Sequence, residues 1–142
     1  MARKYPKLET QIADIVAASD KRMLALMRQS LQDVVNDAQT PTAKGGRMRV
    51  DTGFLRASGQ ASIGSMPTGP VRGDPDGTYL FEENSVITTL AKLELGQTFF
   101  FGWTANYARY REAYDGFLEV ALQKWQKIVD RNTETIRQRV KS

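Results

Sequence analysis

The residues in this chain that could do chemistry are few, and the first set is the tripeptide Asp51-Thr52-Gly53 inside the run RMRVDTGFLRAS, Arg47 to Ser58. In aspartic proteolysis two such loops face each other, one carboxylate ionised and the other protonated, and water is activated between them. A chain carrying one loop could do this only as a homodimer. Proteases of that kind carry the tripeptide after an apolar strand in a β-sheet domain, whereas here it follows Arg47-Met48-Arg49 and precedes Phe54-Leu55 in a mostly helical pattern. The local sequence predicts a structural turn instead. Asp51 or Thr52 accepts a backbone N–H and caps a short helical turn that carries Leu55 into the core.

Elsewhere the chemistry narrows quickly. Histidine and cysteine are both absent, which excludes zinc sites of the usual kind, Ser-His-Asp triads, Cys-His dyads and disulfides. No catalytic residue, metal ligand or cofactor is expected, and the chain is read as a non-enzyme. Asp74-Pro75-Asp76-Gly77 has part of the look of a calcium loop but lacks the later bidentate Glu, so a turn is expected there. Arg72-Gly73-Asp74 copies an integrin-binding tripeptide by coincidence. Phe99-Phe100-Phe101 with Trp103, Tyr107 and Tyr110 could stack the bases of a single strand, but no basic residue interleaves Phe99 to Trp103, and core packing is the better reading. Lys44, Arg47 and Arg49 lie in a stretch without acidic residues, where they could contact DNA phosphates or an acidic partner.

The elements that must position these residues follow from patterning. The 142 residues suit one domain, and the 20 Lys and Arg against 16 acidic residues leave +4, too mild an excess to mark a nucleic-acid-binding protein by itself. No apolar stretch is long enough to span a bilayer, so a soluble protein without a membrane partner is expected. From Leu8 to Ala38 the apolar residues recur every three or four positions, predicting one helix ended by Thr40-Pro41. At 1.5 Å per residue it would be on the order of 45 Å long, more than a domain of this size needs for its own core.

A mobile basic loop is expected over residues 40–50, and a second long loop from Gly64 to Thr78. Strands are expected in QASIGSM, TYLFEE, SVITTLAKLEL and QTFFFGW, with Glu83-Asn84-Ser85 turning the middle two into a hairpin. Residues 105–142 read as helical, with an apolar stripe through Phe117, Leu118, Ala121, Leu122, Trp125, Ile128, Val129, Ile136 and Val140. The fold class is therefore α+β, one domain over 1–142. It comprises a long N-terminal helix (1–39), the basic loop (40–50), a segment of motif, long loops and small antiparallel β-sheet (51–104), and a long C-terminal helix.

Two stretches carry a resemblance. Val50-Asp51-Thr52-Gly53-Phe54-Leu55-Arg56-Ala57-Ser58 resembles the V-D-T-G-x-L-R-x-S signature of the head-tail joining, or tail-completion, proteins of long-tailed bacteriophages. Asn106-Tyr107-Ala108-Arg109-Tyr110-Arg111-Glu112 resembles that family's second element, and Gly116-Phe117-Leu118 its turn into the last helix. The family commonly has a Gly soon after the Glu and a Pro before the Phe-Leu pair, where this chain has Ala113-Tyr114-Asp115-Gly116. The resemblance implies structural roles for Val50, Asp51, Thr52, Gly53, Leu55, Arg56, Ser58, Tyr107, Ala108 and Glu112. It further implies a virion protein forming a homo-oligomeric ring, a hexamer, at the neck, assembled in the host cytoplasm between connector and tail-tube or terminator proteins; the basic residues Lys44, Arg47 and Arg49 could there touch DNA in the channel without sequence preference. The alternatives are an adjacent neck ring (stopper or tail terminator) and a small basic nucleic-acid-binding protein.

Overall fold

The computed structural model describes residues 7–69, 72–74 and 76–141; the start of the expected N-terminal segment and three positions of the second loop lie outside them. The elements are α1 (Leu8–Ala38), α2 (Phe54–Ala57), β1 (Gly59–Ile63), α3 (Glu83–Lys92), β2 (Phe99–Trp103), α4 (Ala108–Asp115), α5 (Phe117–Gln123) and α6 (Trp125–Lys141). The fold is α+β and mostly helical. Among the described residues no helix is long and apolar enough to cross a membrane.

The C-terminal third of α1 is the wall that the rest of the chain shares. On one side Val34 and Ala38 pack with Ala121, Ile128 and Trp103. On the other, Val35 meets Val86, Leu90 and Leu93 under the aromatic side chains Phe81, Phe99 and Phe101. Polar contacts fix α6 on the first side: Asn132 donates to Ser30 Oγ and to Asp33, Arg131 pairs with Asp33 at 3.2 Å, and Lys124 pairs with Asp37 at 3.1 Å. Residues 7–23, by contrast, are exposed, with Ser19, Arg22 and Met23 lining a shallow groove shared with Ile136, Arg137 and Val140 of α6.

β1 and β2 pair antiparallel, with Gly59 opposite Trp103 and Ile63 opposite Phe99, as their β-branched and aromatic content anticipated. The other two expected strands do not form. TYLFEE runs without regular structure into α3, and Glu83-Asn84-Ser85 opens that helix instead of turning a hairpin. Val86, Ile87, Thr88 and Thr89 have strand propensity, yet Val86, Leu90 and Leu93 stand four and three residues apart and all three are buried. Burial of that helical face outweighs intrinsic β preference, which is weak where neighbours decide the packing.

The last third is broken twice. Gly116 separates α4 from α5 at φ +64°, and a turn at Lys124 separates α5 from α6. The expected apolar stripe is accordingly uneven: Phe117, Ala121 and Ile128 are buried, whereas Leu122, Trp125 and Val140 face outward.

The basic loop also differs from expectation. Residues 41–48 form a closed turn around a short 3-10 segment (Thr42–Lys44), with Thr42 N–H donating to the Met48 carbonyl, Met48 N–H to Thr40 and Gly46 N–H to Pro41. Met48 is fully buried beside Leu55, Ala105 and Phe117 and anchors the turn. A methionine among arginines looked like part of a solvated stretch; its burial is what orders it.

Candidate partner interface around the motif cleft

The first motif is a hydrogen-bonded corner. Thr52 Oγ1 accepts the N–H of Phe54 at 3.2 Å, and the Thr52 carbonyl accepts the N–H of Tyr79 at 2.9 Å. Thr52, not Asp51, therefore makes the turn into α2. Gly53 sits at φ +85°, and a Cβ built there would lie 2.3 Å from the Tyr79 carbonyl oxygen, so both backbone conformation and space demand glycine. Leu55 then enters the core. Arg56 lies over the Phe81 ring at 5.3 Å, and its Nε donates to the Gln39 carbonyl at the end of α1. Ser58 Oγ donates to the Leu55 carbonyl and closes the turn before β1.

Gln39, which the sequence reading did not single out, joins three of these parts. Its side chain is almost wholly buried, donates from Nε2 to the Arg56 carbonyl and accepts from Trp103 Nε1, both at 2.8 Å. Its position at the end of a helix gave no sequence signal for that role.

The second motif packs against the first. The Tyr107 ring lies 6.3 Å from Phe54, and Ala108 packs on the cluster of Leu55, Met48, Ala105 and Phe117. Glu112 reaches forward and accepts the N–H groups of Leu118 and Glu119 at 2.9 and 3.0 Å, satisfying two donors that the start of α5 leaves open. Arg111 holds Asp115 with two nitrogens, at 3.1 and 2.8 Å, and Arg49 reaches the same carboxylate at 3.9 Å.

Between the motifs lies a cleft of about 660 Å³, walled by Arg49 to Leu55, by Arg72 to Asp74, and by Asn106, Tyr107 and Arg111. Val50 and Asp51 are exposed on its rim, as are Lys44, Arg47 and Arg49 on the adjoining turn. The Tyr107 phenol is held above its ordinary pKa, chiefly by burial and further by the charge of Asp51, against the opposing pull of the Leu55 backbone and Arg111. Asp74 is engaged locally: its carboxylate accepts the N–H of Asp76 and its carbonyl that of Gly77, the turn expected for this stretch. In the aromatic run Phe99, Phe101 and Trp103 are half-buried against the core clusters, and Phe100 is half-buried outside them. Phe101 and Trp103 meet edge to face at 5.2 Å, and Trp103 meets Phe117 at 4.9 Å. Tyr110 is not part of that core and stays exposed.

The cleft thus sets Arg49, Arg72 and Arg111 beside the carboxylates of Asp51, Asp74 and Asp115, with the Tyr107 phenol and the side chains of Phe54 and Leu55 in its wall. Among the described residues no group of three or more acidic side chains gathers as a metal site would require. Compared with protein-family models, with curated proteins and with solved structures, the chain matches none.

Proposed function

We propose that this chain is a structural subunit of the neck of a tailed bacteriophage, a tail-completion protein that forms a ring, a hexamer, between connector and tail tube. The observation that supports the reading is the joint packing of the two resembling stretches. Gly53, Leu55, Arg56 and Ser58 hold one side of a corner against which Tyr107 and Ala108 pack, while Glu112 caps the start of α5 behind them. Residues given to holding a shared corner suit an assembly protein without a catalytic step. Particles made without this chain are expected to yield DNA-filled heads and complete tails that stay unjoined under the electron microscope, with joining restored by added protein. Normal joining in its absence would sink the proposal.

A second reading, non-specific contact with DNA, draws support from the ordered turn that holds Lys44 and Arg47 exposed with no acidic partner among the described residues. If these two cations neutralise phosphates, the logarithm of the affinity for duplex DNA should fall with log salt by a slope of roughly 0.9 per phosphate, about 2 in all. Replacing both by Gln should remove that slope. Binding that is indifferent to salt, or unchanged in the double variant, would discard this reading.

A further inference from the structure

β1 and β2 make a sheet of two strands, so each strand has one edge that their pairing leaves open. The register and the bonds that flank it fix which groups face that edge. Thr104 N–H donates to the Ser58 carbonyl and Gly64 N–H to that of Thr98. Phe100 and Gly102 therefore bond with β1, and the N–H and C=O groups of Phe99, Phe101 and Trp103 point the other way. Among the described residues none of these six backbone groups has a hydrogen-bond partner. α3 lies along β1, and no helix lies along β2 to a comparable extent. The strand itself, Phe-Phe-Phe-Gly-Trp, carries no charged residue, proline or bulge, the devices that usually guard an open edge.

We infer that the open edge of β2 seats the same edge of a second copy of this chain, antiparallel and about a two-fold axis at Phe101. The occupant follows from symmetry. The outward-facing residues 99, 101 and 103 are spaced evenly about Phe101, so pairing Phe101 with its counterpart sets Phe99 opposite Trp103 of the other copy. All six groups of each copy are then satisfied at once. The side chains agree with that register. Phe99 and Trp103 become a cross-strand aromatic pair, and no charge opposes its own copy. On the other face Phe100 comes opposite Gly102 of the second copy, where a Cβ would meet nothing nearer than Met66 Cε at 3.5 Å, so a ring has room to cover the bare glycine backbone. The product is a four-stranded antiparallel sheet, in the order β1-β2-β2-β1, in place of two strands whose own ladder supports them little. A two-fold contact closes at two copies, whereas a ring repeats a head-to-tail one. The dimer is therefore the form of the free chain, and the inference does not rest on the neck role.

The test uses the full chain, which has no cysteine of its own to interfere. Light scattering over a concentration series should show the wild type passing from the mass of one chain to that of two. Over the same series, amide exchange at Phe99, Phe101 and Trp103 should slow at least tenfold, while that of residues 12–18 stays unchanged. Two variants, Phe100→Cys and Gly102→Cys, should cross-link when mixed under mild oxidation, because opposed residues of a non-bonded pair have Cα atoms about 4.5 Å apart, within disulfide reach. Each variant alone should cross-link at least tenfold less, since the diagonal holds its two thiol-bearing residues about 7–8 Å apart. A wild-type chain that stays monomeric at every concentration overturns the inference. So does an oligomer in which the three amides stay unprotected and the mixed variants do not cross-link, a result that leaves a ring free to form through other surfaces. Should either variant fail to fold, amide exchange of the wild type decides alone.

Discussion

A methyl group on Gly53 would meet the Tyr79 carbonyl at 2.3 Å in a backbone conformation that side chains disfavour. Gly53→Ala is therefore expected to cost about 1–3 kcal/mol from the conformation alone, read as a lowered denaturant midpoint at unchanged slope. Leu55→Ala, which empties a buried site, is expected to cost roughly 2–5 kcal/mol. Asp51→Asn, on the exposed rim, should stay within about 0.5 kcal/mol of wild type. A loss at Asp51 as large as that at Leu55 would overturn the placement of the corner. Tyr107 predicts a pH effect. Because folding raises the pKa of its phenol, its contribution is fully present below the unfolded value near 10 and is lost as pH rises through the folded value. Unfolding curves between pH 8 and 11.5 should show a steeper alkaline decline for wild type than for Tyr107→Phe, and identical slopes would refute the burial of that hydroxyl.

At the scale of elements, α1 joins two regimes of stability. Amides of residues 30–38, backed by α3, α5 and α6, should exchange with solvent orders of magnitude more slowly than those of residues 12–18, whose side chains are exposed and belong to none of the buried clusters. Uniform protection along α1 in the free chain would contradict the picture. α1 was legible in the sequence because its three- and four-residue spacing runs for eight turns. The β1 and β2 segments were legible because aromatic and β-branched residues there are also paired. α3 was not, since Val86 to Thr89 carry strand propensity and the helical face is recognised only once Val35 is known to lie beneath it. Leu90→Ala should accordingly cost about 2–5 kcal/mol, against less than about 0.5 for Ile87→Ala on the exposed side. Within the candidate site, Thr52, Leu55 and the corner role of the motif could be read locally. Gln39, Tyr79 and the Arg111–Asp115 pair could not, because their partners come from distant segments or from side-chain geometry.

At the scale of the whole molecule, large exposed apolar side chains gather in two places, the stripe Leu8, Ile12, Ile15 and Val16 of α1 and the tyrosines Tyr110 and Tyr114 of α4. The net charge of +4 is not concentrated in the cleft, where Arg49, Arg72 and Arg111 stand beside Asp51, Asp74 and Asp115.

The buried amide of Gln39 ties the end of α1 to Arg56 of the motif corner and to Trp103 of the sheet. Mechanically this is a clamp at one end of a stiff rod about 45 Å long. A tilt of one degree about the clamp displaces the far tip by about 0.8 Å, and, read in reverse, a push on the tip arrives at the corner as torque with a long lever arm. Strain imposed at the exposed end of α1 is thereby delivered to the residues that shape the cleft.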